Sequence, residues 1–330
     1  MLIVSLGSTG GLRAVDRELL ASIRRAGADA AIVAPDPPRP VRTLMLTDLG
    51  WARATRRAVQ VELSRARPRA LIYSTTTAAL LWPRAGAIRF DAPAAANRRG
   101  RHGLWQRPLE RHRLRHAPLL LPQSGAALQE LPASTRRTDA LVLPVVVEPS
   151  AAPAAVRDIA AITYAANPAK KGLDRILAAW GTARRAGEEL VVAGVSEGEL
   201  GKLGYELPAD GVRVVGMLGG DDYRALLRRA RVFVCAARRE DHGIAQLEAL
   251  ADGCALVTTP APGPYVALPI ARRLDARLVG EDLAAQLRTA LDEPAPGYAE
   301  RALRALAPFR RAAVDRLVAE ELLPRLLPRG

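Results

Sequence analysis

Short apolar runs alternate with helical stripes along the whole 330-residue chain. LIVSL (2–6) reads as a buried strand. LRAVDRELLASIRRAG (12–27) follows as a helix, with Leu12, Val15, Leu19, Leu20 and Ile23 on one stripe and Gly27 past its end. AAIVA (30–34) is a second strand, and the proline-rich DPPRP then breaks the chain. WARATRRAVQVELSRA (51–66) is helical, and ALIYS (70–74) and AIRF (87–90) are strands. LWQRPLERHRLRHA (104–117) is a basic helical stretch interrupted or started by Pro108. PLLLPQS (118–124), a helix capped by Ser124, and ALVLPVVV (140–147) complete the first half.

EPSAAPAAVR (148–157) reads as a linker, and a second alternating set follows. Its strands are DIAAITYA (158–165), ELVVAG (189–194), VRVVG (212–216), RVFVCAA (231–237) and CALVTT (254–259). Its helices are expected at 172–186, 221–230 and 243–252, with a helical tail from about 280 to 324. The pattern predicts an α/β protein of two doubly wound, parallel-sheet domains. Open parallel sheets bind ligands at the carboxyl ends of their strands, so the cleft between two such domains is the expected site.

Composition narrows the class. No apolar run reaches the ~20 residues that span a bilayer. The start, MLIVSLGSTGG, lacks a charged region and a cleavage signature, and reads as a strand rather than a signal peptide. Cys235 and Cys254 sit in apolar surroundings, with neither metal spacing nor a disulfide framework. A cytoplasmic protein is expected. The net charge is +14, yet only three of the 48 basic residues are lysines, Lys170, Lys171 and Lys202. Arginine beside this much alanine partly reflects genome composition, so it is weak evidence for nucleic acid. The first 150 residues carry nearly all of the excess positive charge.

Four stretches carry candidate chemistry. GSTGG (7–11) links the first strand to its helix; Gly10 and Gly11 suit either a tight turn or a backbone approaching a phosphate. It is not G-x-G-x-x-G. Lys170 and Lys171 stand before a helix start at Gly172, as an anion site or as solvated turn lysines. In REDHGIAQLEALADG (239–253) a helix begins near Gly243, and free N–H groups at 242–245 would face an anion. Glu240 before it and Glu248 about 1.5 turns into it could each accept hydroxyl hydrogen bonds. That suits a sugar nucleotide; a glutamate favouring the helix dipole plus an ion-paired Glu248 is the plainer alternative. NRRGRHGLWQRPLERHRLRH (97–116) gathers arginines with Trp105, as a membrane-facing surface or as a solvated helix. His102, His112 and His116 read as surface residues.

REDHGIAQLEALADGCALVTT resembles the E-x7-E signature of GT-B glycosyltransferases, specifically the retaining family 4 group. PQSGAAL (122–128), LVLPVVVEPS, KKGLDRILAAW and VRVVGMLGGDDYRALLRRARVFVCAA are similar to further segments of that family, so the likeness spans the chain. The resemblance implies a GT-B fold: residues 1–148 an acceptor-binding Rossmann-like domain, 149–307 a donor-binding one, and 308–330 a helix packing back on the first. It implies a metal-independent, hexosyltransferase-like enzyme with no cofactor. A nucleoside-diphosphate sugar would be the donor, and a glycan, lipid-linked or small-molecule hydroxyl the acceptor. Catalytic candidates are Glu240, Lys171 and Asp91; donor-binding candidates are Gly10, Gly11, Lys170, Met217, Leu218, His242, Gly243, Ile244, Ala245 and Glu248.

The departures are specific. Ala166 stands where the family usually has an arginine, leaving the diphosphate to Lys171 with Lys170 or Arg239. Phe90-Asp91 lacks the family's histidine; Asp91 could contact the donor sugar or the acceptor hydroxyl, or simply cap the next turn. APGPYVALP (261–269) replaces a G-G-x-x-E segment. In family members with lipid acceptors the first domain touches anionic membrane, which implies peripheral contact at the inner face through the basic stretch. A GT-B sugar-nucleotide epimerase or hydrolase is the alternative enzyme. An arginine-rich nucleic-acid binder is a remoter one, since aromatics are only 4%.

Overall fold

The computed structural model describes residues 1–39, 41, 43–98, 100–136, 139–152, 156–208 and 210–327; of Asn97, Arg101 and His102 it describes only the backbone. Arg99 and the side chains of Arg101 and His102, part of the basic stretch, thus lie outside the described residues. The chain divides into two compact units, Met1–Val146 with Phe309–Gly330, and Val147–Pro308.

In the first unit, β1 (Leu2–Val4), β2 (Ala31–Val33), β3 (Leu71–Tyr73), β4 (Ala87–Phe90) and β5 (Leu120–Pro122) form a sheet of order β2-β1-β3-β4-β5. Every pairing is parallel. Successive side chains alternate between the faces. Leu2, Val4, Leu71 and Tyr73 meet Val59 and Leu114 on one side, from the helices Leu44–Arg65 and Gln106–His116. Ile3, Ile72 and Leu119 meet Leu19 and Ile23 of the helix Gly10–Arg25 on the other. Val314, Val318 and Leu322 of the C-terminal segment join that second face. Asp315 anchors it, accepting from Ser22 Oγ at 2.5 Å and Arg25 Nε at 2.7 Å. Helices cover both faces, which explains the near-continuous apolar strands.

The second unit repeats the scheme. β6 (Ile159–Tyr164), β7 (Leu190–Ala193), β8 (Val212–Gly216), β9 (Ala230–Cys235) and β10 (Ala255–Thr258) form a parallel sheet of order β10-β9-β6-β7-β8. The strand order reverses between β1 and β3 in the first sheet and between β6 and β9 in the second. Those are the places where a doubly wound sheet opens a ligand crevice.

Three expectations need correction. The helix expected over 172–186 runs Leu173–Ala183, and a separate short helix, Pro168–Lys171, precedes it across Gly172 at φ +66°. Lys170 and Lys171 therefore end a short helix and stand directly before the next one. Gly172 is required there: a Cβ would stand 2.1 Å from Ala236 O. The run 140–147 is no strand; it touches β5 through the bridge Leu120↔Ala140 and the bonds Leu141 N→Leu120 O and Leu143 N→Pro122 O. Pro122 has no N–H with which to continue the series begun by Leu120 N→Asp139 O. The helix expected over 51–66 begins at Leu44, because Thr43 Oγ1 caps it by accepting from Leu46 N.

Candidate functional site

The loops that leave β6 and β9, the two strands flanking the second sheet's reversal, bring the lysines to the glutamate. Asn167 caps the short helix, its side chain accepting from Lys170 N at 3.0 Å, and this turn presents both lysines. Lys171 Nζ donates to Glu240 Oε2 at 2.6 Å. Lys170 Nζ donates to Asp241 Oδ2 at 3.1 Å, while Arg239 Nε takes Asp241 Oδ1 at 2.7 Å. Glu240, Asp241 and His242 are buried, whereas Lys170 keeps nearly half of its side chain exposed.

Glu240 is held from three sides. Gln246 Nε2 donates to the same Oε2 at 3.0 Å, and Glu240 N donates to Pro262 O at 3.1 Å. Gly263, at φ +112°, lets the 261–263 turn lie this close, since a Cβ there would meet Glu240 O at 2.3 Å. Sequence reasoning missed Gln246; its place in the first turn after Gly243 was the available signal.

Gly243 caps the helix Ile244–Ala251 at φ +87°. A Cβ there would press on the Tyr265 ring at 3.0 Å. Tyr265 is itself fixed by a 2.8 Å hydrogen bond with Thr258 Oγ1. The main chain at His242, Gly243, Ile244 and Ala245 thus forms the positive end of this helix.

Glu248 lies on the same helix, between fully buried Leu247 and Leu250 but itself only partly buried. Arg224 Nη1 stands 3.6 Å from its Oε1. Arg224 also binds Asp252 through Nε at 2.6 Å and Nη2 at 3.0 Å, and Ser150 N and Oγ complete the Asp252 carboxylate at 2.8 and 3.0 Å. Burial pushes the Glu248 carboxyl above its ordinary value, Arg224 pulls it back, and Asp252 adds to the rise. Neither Arg224 nor Asp252 was singled out from sequence; both lie on other faces of the pattern and reveal themselves only through these bonds. Met217 is exposed and Leu218 partly so, just beyond β8, with Tyr164 Oη 3.8 Å from Met217 Sδ. Ala166 is exposed at the end of β6 and supplies no charge. The second unit therefore gathers Lys170, Lys171, Glu240 and the helix start, with Glu248 further along that helix.

Gly10, Gly11 and Asp91 belong to the first unit. Gly10 and Gly11 open the helix Gly10–Arg25 after Thr9, whose hydroxyl accepts from Leu12 N at 3.2 Å. Among the described residues, a Cβ built at Gly11 would meet no neighbouring element within 4 Å. Asp91 is exposed beyond β4 and caps its own turn, Oδ1 accepting from Ala92 N at 2.8 Å. A cavity of about 270 Å³ opens at the reversal between β1 and β3, with Ser8, Thr9, Thr76, Asp91, Gln106 and Glu110 among its walls. Burial raises the Glu110 carboxyl to about 7.

Among the described residues, no group of three or more His, Cys, Asp or Glu could hold a metal ion. No described helix is long and apolar enough to cross a membrane.

Residues 157–293 match the family model described as glycosyl transferases group 1. No curated protein matches the chain. Several solved structures share its fold at low identity. WaaG, a glycosyltransferase involved in lipopolysaccharide biosynthesis, superposes with a TM-score of 0.70 at 16% identity, covering 99% of each chain. HepE of Anabaena, in complex with UDP and glucose, gives 0.66 at 13% identity over 97% of this chain and 98% of that one. Sucrose-phosphate synthase from Thermosynechococcus elongatus gives 0.65 at 14% identity, covering 97% and 96%.

Proposed function

We propose that this GT-B-fold chain is a retaining glycosyltransferase that moves a hexose from a nucleoside-diphosphate sugar to a hydroxyl acceptor. The observation that carries the reading is the Lys171–Glu240 contact beside the start of the helix Ile244–Ala251. A cation, an acceptor carboxylate and a helix N-terminus stand together where the sheet's strand order reverses.

In this reading the donor diphosphate lies on the main-chain N–H groups of 242–245. Lys171 turns from Glu240 to the leaving phosphate as the donor enters, and Lys170 adds a second charge. Glu240, released from that pair but still held by Gln246, accepts from the sugar hydroxyls. Glu248 accepts from the ribose, and the main chain at Met217 and Leu218 meets the base. The anomeric carbon–oxygen bond to phosphate breaks, and the departing phosphate oxygen takes the acceptor's proton as the new bond forms on the same face. The protein's contribution is electrostatic, preorganised charge aimed at the leaving group. Asp91 orients the acceptor hydroxyl. No cofactor takes part in this reading.

Peripheral contact with anionic membrane belongs to the same proposal. Leu104, 63% exposed, stands in the arginine-rich stretch, and Val41, Leu44 and Leu46 of the same unit are also exposed. Co-sedimentation with phosphatidylserine vesicles, lost on Leu104→Ser, is the expected outcome.

A thermal-shift panel of UDP-, GDP-, TDP- and ADP-sugars tests the central reading, followed by product analysis with and without acceptor. One donor should raise the melting temperature by several degrees. Donor consumption that yields only epimer or free sugar, even with acceptor present, would replace transfer with epimerisation or hydrolysis.

A further inference from the structure

Lys170 and Lys171 are each held by an acid, and the two pairs differ in what they leave behind when they open. Asp241 accepts from Lys170 Nζ at 3.1 Å and from Arg239 Nε at 2.7 Å. Lys170 can therefore leave while Arg239 still neutralises Asp241. Glu240 accepts from Lys171 Nζ at 2.6 Å and from Gln246 Nε2 at 3.0 Å, both on the same oxygen, Oε2. Gln246 is buried and carries no charge. Once Lys171 leaves, the hydrogen bond that stays on Glu240 comes from an uncharged amide.

Water offers Glu240 little help. Its side chain is 7% exposed, and that of Lys171 21%. A buried charge stripped of its partner is costly. An arriving diphosphate sharpens that cost, because it draws the lysine away and sets like charge beside Glu240. Hydroxyl groups reverse it. Their hydrogen bonds to a buried carboxylate are charge-assisted and replace what the lysine gave. The pair thus opens readily only to a ligand that brings an anion for Lys171 and, beside it, hydroxyls for Glu240.

We infer that the Lys171–Glu240 pair is a selector, which makes the site prefer a diphosphate carrying a polyhydroxylated ring over the same diphosphate without one. The inference rests on the glycosyl-transfer reading and adds an order of affinities to it: the sugar nucleotide binds more tightly than the nucleoside diphosphate it leaves behind. When the sugar has gone, Glu240 reclaims Lys171 and the remaining diphosphate loses its cation. The pair then promotes product release, and added nucleoside diphosphate inhibits only weakly. Contacts to the diphosphate alone set no such order, since both ligands make them.

Calorimetry on the full chain compares two probes, the sugar nucleotide that the thermal-shift panel selects and its nucleoside diphosphate. Wild type should bind the sugar nucleotide at least about tenfold more tightly. Glu240→Gln ends the competition for Lys171, so it should bind the nucleoside diphosphate about tenfold more tightly than wild type does, with the circular-dichroism melt retained. Removing any nearby negative charge favours an anion, so the same change is also made in a Lys171→Met background. There the gain should shrink to about threefold or less, because no lysine remains to be freed. Should Glu240→Gln fail to fold, the two wild-type affinities decide. Wild type binding both probes equally, no gain in Glu240→Gln, or an equal gain in both backgrounds overturns this inference and leaves glycosyl transfer standing. A panel in which no sugar nucleotide binds removes glycosyl transfer, and this inference with it.

Discussion

Lys171 Nζ reaches Glu240 Oε2 across 2.6 Å, joining residues 69 positions apart in sequence. The pair stands where β6 and β9 diverge, and Gln246 supports the glutamate from the neighbouring helix. In the glycosyl-transfer reading proposed above, a diphosphate takes the lysine and sugar hydroxyls take the carboxylate.

Lys171→Ala and Glu240→Ala are each expected to lower transfer by about 10² to 10³-fold. Circular dichroism should stay native, since Gln246 still partners Glu240 when the lysine is gone. Radiolabelled transfer assays check this; full turnover by both folded variants would remove them from the chemistry.

Gly172→Ala should destabilise the protein by about 3 kcal/mol or more. The positive φ disfavours a side chain, and the new Cβ would collide with Ala236 O, 2.1 Å away. Urea unfolding measures the loss. A change under about 1 kcal/mol would mean that the two helical pieces shift apart without strain.

Burial raises the Glu248 carboxyl, and Arg224 opposes the rise. Its hydroxyl-accepting form is the carboxylate, so affinity for the nucleotide should fall as pH drops through that raised value. Arg224→Met removes the opposing charge and should move the acid limb of the affinity profile to higher pH. Calorimetric titration with the nucleoside diphosphate as the pH is lowered from neutrality reads the limb. An unmoved limb would show that Glu248 does not contact the nucleotide.

Glu110 gives stability a pH dependence of the opposite sense to an ordinary salt-bridged acid. Burial lifts its carboxyl from 4.5 to about 7, so the folded state holds a proton that the unfolded chain releases. Its contribution is present in full below pH 4.5 and is lost as pH rises through about 7. The loss is on the order of 3 kcal/mol. Glu110→Gln cannot ionise and keeps an oxygen for Ala94 N. Its stability relative to wild type should rise between those limits and level off above them, as measured by denaturant midpoints against pH. A difference that stays flat across the range would place the carboxyl in water.

The sequence by itself determined the kinds of elements and the Glu240–Glu248 motif. AIRF is strand β4 residue for residue, and Ser124 caps its helix, because apolar runs and capping chemistry are local. The Glu240–Glu248 spacing and the glycine between them were legible for the same reason: one helix start places all three. What only the tertiary structure decided lies in remote partners. Position 172 has no room for a side chain because of Ala236 O, a neighbour on another strand's extension. The helix Ala267–Leu274 escaped notice behind Pro264 and Pro269, and the buried Tyr265 before it, bonded to Thr258, helps to fix the turn that leads there. The ion-pair alternative for Glu248 named no partner; Arg224, brought from a different helix, is the charge it faces. Gln106 and Glu110 carried no motif at all. Their shared cavity forms where the first sheet's order reverses, and periodicity along a chain carries no record of which strands will become neighbours.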